Sequence, residues 1–467
     1  MSAERVRALL DEIGATSVDD SPVRLSGDDP VIPTPYPVGT TAATALGGLA
    51  AVLTDLAAGR GGRSPAGSID VRHAAASLMS LWLLRRDGEL VSPLPSDGNP
   101  TTMSDGNPLV ALYEAADGRW VHVHGAFAHL ADATREVLEV GPAARPDDVA
   151  AAVAGWESVA LEDALAAAGT CGAVARTGAE WRAHPHGSRI AAQPIVSIRR
   201  IGDAPARPLA PGGPGTAALT GVRVLDATRI LAGPVCGRTL GEHGADVLLV
   251  TSPGLGEFDQ SVMDTGHGKR SAFLDLSTAA GVAAFHMLAA DADVIVDSYR
   301  GGSFERRGLG AEALAERHPG IVCVAISCYG SSGPWAGRPG WEHMAQTACG
   351  LAVGHGGSAR PQLMPVAFCD YVTGFLGALG AAEALRRRAI EGGSWSVEVS
   401  LARTATWLEG FGAVHDPSSA VGVAGIGRFV TGPSPFGELR AIEPALTPTT
   451  PWQRMAVPLG TDAPTWG

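Results

Sequence analysis

The chain is short of cations, aromatic rings and ligand-like cysteine spacings, and each shortage removes a class of function. Thirty-five Lys and Arg face 48 Asp and Glu, a formal charge of −13. That sign disfavours nucleic acid or an anionic membrane surface as partner. A small anionic ligand stays compatible, because a local basic cluster can oppose the global charge. The six cysteines, Cys171, Cys236, Cys323, Cys328, Cys349 and Cys369, form no CxxC pair and no metal-ligand spacing. Reduced, buried thiols in a cytoplasmic protein without a metal are the expectation. The N-terminal MSAERVRALLDEIG is charged and amphipathic, without the features of a secretory signal. The longest apolar run, TTAATALGGLAAVLT, is expected to be too short and too rich in Ala and Gly to span a bilayer.

Several nucleotide and hydrolase signatures are also missing. DTGHGKRSAFLDLS has a Gly-Lys pair, but a phosphate loop needs Gly five residues before Gly268, and Met263 stands there. No GxGxxG follows a strand, since the turn after VRVLDAT reads RILAGPVCG. No Ser nucleophile elbow and no metal-ligand cluster is present.

What is there is an α/β pattern. A chain of 467 residues exceeds what one core usually serves, so two or more domains are expected. Beyond about residue 220, apolar runs such as VLLV, VIV and IVCVAI alternate with helical segments. Strands of this kind are buried on both faces, which predicts a Rossmann-like, doubly wound parallel sheet over 220–412. PLVALYEAADGRWVHVHGAF reads as two strands around an Asp-Gly turn and opens a smaller α/β domain over 101–203. Residues 204–219, rich in Pro, Gly and Ala, read as a linker, and 413–467 as a segment packing on the large domain. Residues 1–100 hold an internal repeat. Small-residue helix, Gly-Gly turn, strand and Ala-rich helix occur around SIDV and again around SVEV.

Candidate site residues cluster in the second half. Asp370 precedes a Gly/Ala/Leu helix and has no acidic counterpart in the earlier copy of the repeat. Such an acid caps a helix or serves as a nucleophile kept ionised by the helix dipole. Lys269 and Arg270 sit in a Gly-flanked turn, and Arg300, Arg306 and Arg307 follow a buried strand. Either group could meet phosphate oxygens or simply be solvated. Glu342 and His343 form a further acid/base pair, read as structural. His267 and His355 lie in Gly-rich loops without distinguishing spacing.

VRVLDATRILAGPVCGRTLGEHGADVLLV, GKRSAFLDL, ADVIVDSYRGG, ISCYGSSGPWAGRPGWEHMAQTACGL and DYVTGFLGALGAAEALRRR occur in that order. Together they resemble the class III CoA-transferase family, which includes formyl-CoA and carnitine-CoA transferases and alpha-methylacyl-CoA racemases. The small-domain segment comes before the large domain here, whereas in the family it follows, so the chain looks permuted or partly duplicated. The resemblance implies CoA or acyl-CoA as substrate, a small carboxylic acid as acceptor, and a homodimer, possibly intertwined. It assigns Asp370 to the catalytic aspartate, which carries CoA as an aspartyl thioester. It places CoA contacts on Ile230, Leu231, Ala232, Lys269, Ser298, Tyr299, Arg306, Arg307, Cys328 and Tyr329. Thr251 and Ser252 stand where the family often has a basic residue. The glycine-rich stretch Gly422–Gly427 is the candidate source of oxyanion donors. An acyl-CoA racemase or a non-catalytic CoA-binding homologue is the alternative.

Overall fold

The runs RVLDA, DVLLVT, VIVD and VCVAIS are apolar without alternation, and each becomes a strand with both faces covered. The computed structural model describes residues 2–62, 67–92, 107–213, 215–299, 302–423 and 425–467. Seven strands form the large sheet: β1 (Ser197–Gly202), β2 (Arg223–Ala227), β3 (Asp246–Thr251), β4 (Arg270–Phe273), β5 (Val294–Asp297), β6 (Val322–Ser327) and β7 (Ser394–Ser400). Their spatial order is β4-β3-β2-β5-β6-β7-β1. All neighbours are parallel except β1, which runs antiparallel along β7. The expected doubly wound α/β sheet is therefore present. Its strand order turns around at β2, which sends the chain first to β3 and later to β5 on the other side. Ligands of such sheets sit beyond the carboxyl ends at that reversal.

The repeat is visible as two helix–strand–helix units. The first is α1 (Val38–Gly59), the strand Ser68–Asp70 and α2 (Val71–Ser77). The second contains α6 (Phe368–Glu391), β7 and α7 (Leu401–Glu409). Between them in the chain lie α3 (Ala232–Gly241), α4 (Asp259–Thr265) and α5 (Glu342–Ala348). Glycines let α6 approach its neighbours at backbone distance. A Cβ on Gly374 would lie 2.6 Å from Val235 Cγ1 and 2.7 Å from the Ala232 carbonyl of α3. Gly48 of α1 faces Leu9 and Leu379 in the same way. The apolar run in α1 thus extends to a helix of 22 residues, long and apolar enough to cross a membrane, contrary to the expectation from its sequence. Its most apolar window is 78% buried inside the protein, which makes it a core helix.

The small domain is a three-stranded antiparallel sheet of Val110–Glu114, Trp120–His124 and Cys171–Val174. One face packs its own core of Val121, Val123, Leu161 and Leu165. The other turns His122 and His124 toward α5. Buried Arg176 ties Glu162 at 2.6 Å within the domain, and its backbone N–H donates to Thr347 O of α5 at 3.2 Å. The C-terminal segment divides its contacts. Its hairpin, Phe429–Ser434 and Gly437–Ile442, pairs with Arg85–Arg86 of the N-terminal unit. Further on, the Asp462 N–H reaches Ser271 O of the large sheet at 2.7 Å.

Candidate active site

α6 begins at Phe368 and places Asp370 in its first turn, at the third helical position. The capping acid of this helix is Glu342, the first residue of α5. Its buried carboxylate accepts the Cys369 N–H at 3.1 Å and the Asp370 N–H at 2.6 Å, and also Gln346 Nε2 at 2.7 Å. Those bonds occupy the N–H groups that a capping side chain serves. The half-buried Asp370 carboxylate accepts no described hydrogen bond of its own.

The repeat holds the same frame with a different residue in it. At α1, the Asp29 carboxylate accepts the Gly39 N–H at 3.3 Å and the Thr40 N–H at 2.7 Å. The residues preceding the two helices, Pro37 and Ala367, share one backbone conformation (φ −79°, ψ 66° and φ −85°, ψ 58°). Thr40 therefore stands where Asp370 stands, and the helix forms without an acid there. The fold does not need the Asp370 carboxylate.

Burial, and then the Glu342 charge beside it, push Asp370 well above the ordinary carboxylate range. Burial pushes Glu342 up to about 7 despite its three N–H donors. Two carboxyls this close share protons as a pair. The Glu342 oxygens receive all the donors, so Glu342 holds the negative charge first and Asp370 the last proton. Four buried thiols surround the pair's neighbourhood: Cys369 adjoins Asp370, Cys328 Sγ lies 3.9 Å from Trp341 O, and Cys171 and Cys349 are buried nearby in the same core.

The predicted CoA contacts lie around the strand-order reversal. Ile230 follows β2 with φ +69°, a conformation that strains a β-branched residue and marks a functional turn. The Ile230 N–H points to Glu257 Oε2 at 3.4 Å, and Glu257 pairs with Arg229 at the same distance. Leu231 and Ala232 are buried in the first turn of α3. Ser298 Oγ accepts the Arg229 N–H at 3.3 Å, bridging the ends of β5 and β2. Tyr299 and Arg307 line a cavity of about 530 Å³ outside β3, β4 and β5. Arg306 is exposed on the same turn, and Arg300 lies outside the described residues.

Other predicted residues face inward. Lys269 is 1% exposed, and its ammonium donates to Asp226 and to the Pro234 carbonyl, both at 2.7 Å. A phosphate could reach it only by breaking that pair. Cys328 and Tyr329 are buried, with Tyr329 packed between His186 and Trp335. In the glycine-rich stretch, the Gly422 N–H is spent on Val31 O at 2.9 Å, beside the repeat helix α1. His267 stacks on Trp452 inside the protein.

Sequence reading missed one cluster. The rings of His122 and His124 lie 5.4 and 4.8 Å from that of His343, directly after Glu342. Burial first, and the neighbouring imidazoles next, hold His122 and His124 well below the usual histidine range. The V-H-V-H alternation in a strand carried the signal, since alternate residues share a face. Phe127, Phe258 and Trp341 complete a wall beside it, with the Phe127 ring 4.7 Å from Phe258 and 5.8 Å from Trp341.

Residues 219–436 match the model of CoA-transferase family III, and that span contains six of the large sheet's seven strands, Glu342 and Asp370. That segment belongs to CoA-transferase family III. Among its relatives, the acetyl-coenzyme A transferase nodX of Hypoxylon pulicicidum is 31% identical over 64% of this chain and 54% of its own length. An acyl-CoA transferase of Gibberella moniliformis is 30% identical over 71% and 63%. A probable fatty acyl-CoA transferase of Mycobacterium tuberculosis, Rv3272, is 31% identical over 41% and 52%. A crystal structure of that protein aligns at 32% identity, over 42% of this chain and 56% of the other, with a TM-score of 0.40. The chain thus spans little more than half the length of these family III relatives.

Proposed function

We propose that this protein transfers CoA between an acyl-CoA thioester and a carboxylic acid, with Asp370 as the nucleophile. The observation that carries the reading is the uncommitted Asp370 carboxylate on a helix whose cap is supplied by Glu342. The match of residues 219–436 to family III and the cavity beyond β3, β4 and β5 support it.

In the first step an Asp370 oxygen bonds to the thioester carbonyl carbon. The C–S bond breaks, and a mixed anhydride and CoA thiolate result. The thiolate then attacks the Asp370 carbonyl, expels the donor as a carboxylate and leaves an aspartyl-CoA thioester. The acceptor carboxylate runs the two steps in reverse. One thioester replaces another, so no external energy source enters. Backbone and side-chain N–H groups must stabilise each oxyanion.

The test is intact-mass analysis of the full chain mixed with acyl-CoA donors. A CoA adduct is expected on the peptide bearing Asp370, absent in Asp370→Asn. An Asp370→Asn variant that still transfers CoA would sink the assignment. A racemase would instead exchange the donor's α-proton with solvent deuterium without any acceptor acid. The His343 ring packs against those of His122 and His124.

A further inference from the structure

Asp370 is held in place through its neighbours. Its carboxylate accepts no described hydrogen bond, so the backbone of the first turn of α6 decides where it points. Glu342 grips that turn from the α5 side, through the Cys369 and Asp370 N–H groups. A second grip falls on the next residue, Tyr371, and comes from a different quarter of the molecule.

Tyr371 is fully buried, and its hydroxyl is fixed as donor and as acceptor. It donates to Asp264 Oδ2 of α4 at 2.8 Å and accepts the Leu81 N–H at 3.0 Å. Asp264, buried equally deeply, is the hub of the group. The Ser80 hydroxyl donates to its Oδ1. Arg238 Nη1 of α3 lies 3.3 Å from the same oxygen and donates to the Asp264 carbonyl at 2.9 Å. The Arg238 guanidinium also lies 5.9 Å from the centre of the Tyr371 ring. A buried carboxyl group is costly without its donors, so the cluster favours one arrangement. Ser80 and Leu81 open the short helix Ser80–Leu83 of the N-terminal unit, outside the stretch 219–436 that matches the family model.

We propose that Tyr371 and Asp264 are positioning residues for Asp370, and that the N-terminal unit, through Ser80 and Leu81, is part of the same device. The two grips act on consecutive residues, Glu342 on Cys369 and Asp370, Asp264 on Tyr371. Together they oppose rotation of the first turn about its own axis. The inference rests on the transferase reading for what Asp370 does, whereas the anchoring is independent of it. A nucleophile displaced by as little as about 1 Å can lose a hundredfold in rate.

Tyr371→Phe keeps the ring beside Arg238 and removes both hydrogen bonds, and Ser80→Ala removes one donor to Asp264. Both are tested in the full chain, with folding checked by melting curves. In Tyr371→Phe, amides of the first turn from Cys369 to Val372 are expected to exchange with deuterium about tenfold faster, while those of β6 keep their rates. Adduct formation on Asp370 from acetyl-, succinyl- or palmitoyl-CoA should slow about ten- to a hundredfold at saturating donor. The half-saturating concentration should change less than about threefold. Ser80→Ala should act in the same direction more weakly. Added to Tyr371→Phe, it should contribute less than about twofold, because both act through one carboxyl group. Unchanged exchange in the first turn overturns the proposal. So does a rise of equal size in β6, or a Ser80→Ala loss that multiplies in full with that of Tyr371→Phe. Faster exchange with no adduct even in the wild type would leave the anchoring standing and remove the transferase reading. An adduct that forms at the wild-type rate in Tyr371→Phe would sink the positioning role and leave the transferase reading intact.

Discussion

At the scale of single residues, the site turns on which of two acids holds a proton. Glu342 and Asp370 meet through one backbone N–H, and the like charge of Glu342 adds to burial in raising the Asp370 pKa. The proposed nucleophile must be ionised, so the rate should climb as pH rises through the titration of the pair. Glu342→Gln removes the repulsion and keeps an acceptor for the helix N–H groups. The acid limb of the pH–rate profile should therefore move to lower pH, by roughly one pH unit or more. A limb that stays in place would mean that Glu342 shapes the helix and not the charge of Asp370. On the transferase reading the pairing serves the chemistry, because a carboxylate deprived of water is a better nucleophile than a solvated one.

At the scale of elements, α6 places the Asp370 carboxylate only as well as it is packed. Gly374 lies one helical turn beyond Asp370, where its hydrogen is all that separates α6 from Val235 and the Ala232 carbonyl of α3. A methyl group at that place must push two helices apart, one of which begins at the turn holding Ile230. Gly374→Ala should cost about 1–3 kcal/mol of stability by denaturant unfolding. It should also lower turnover more than a surface variant of equal stability does. Unchanged stability would show that α3 and α6 can separate without strain. The same elements explain what was legible beforehand. Apolar strands without alternation, the Gly-Gly turns and the repeated helix–strand–helix pattern all follow from local chemistry. The cap does not, because Glu342 and Asp370 are 28 residues apart and meet only through the loop that leads from β6 to α6. Lys269 shows the converse. A Gly-flanked lysine reads as an open phosphate contact, and long-range burial turned it inward onto Asp226.

For the whole molecule, the small domain and the large sheet meet at α5, with neutral histidines in the seam. His122 and His124 come from the small domain. The titratable group across from them is His343 on α5, with the Cys171 thiol alongside in the next strand. Because burial lowers the folded-state pKa of both histidines, the unfolded chain takes up their protons first. Stability from this seam is thus complete above the ordinary histidine pKa of about 6.5 and declines as pH falls below it. Melting temperatures across that range should fall more steeply in the wild type than in a His122→Leu, His124→Leu variant. Parallel curves would place the acid sensitivity elsewhere. The seam needed the fold, since the histidines and α5 are brought together from distant stretches, and so did β1, whose residues 197–202 read as the end of the small domain but join the large sheet.

The twin helix frames fix a stoichiometry. Two starts of identical backbone shape exist, yet Thr40 occupies one and Asp370 the other. On the transferase reading, the Thr40 hydroxyl has no carbonyl to take up CoA, so each polypeptide is loaded once. Titration with a donor should saturate at a single equivalent, however many frames a sequence search counts.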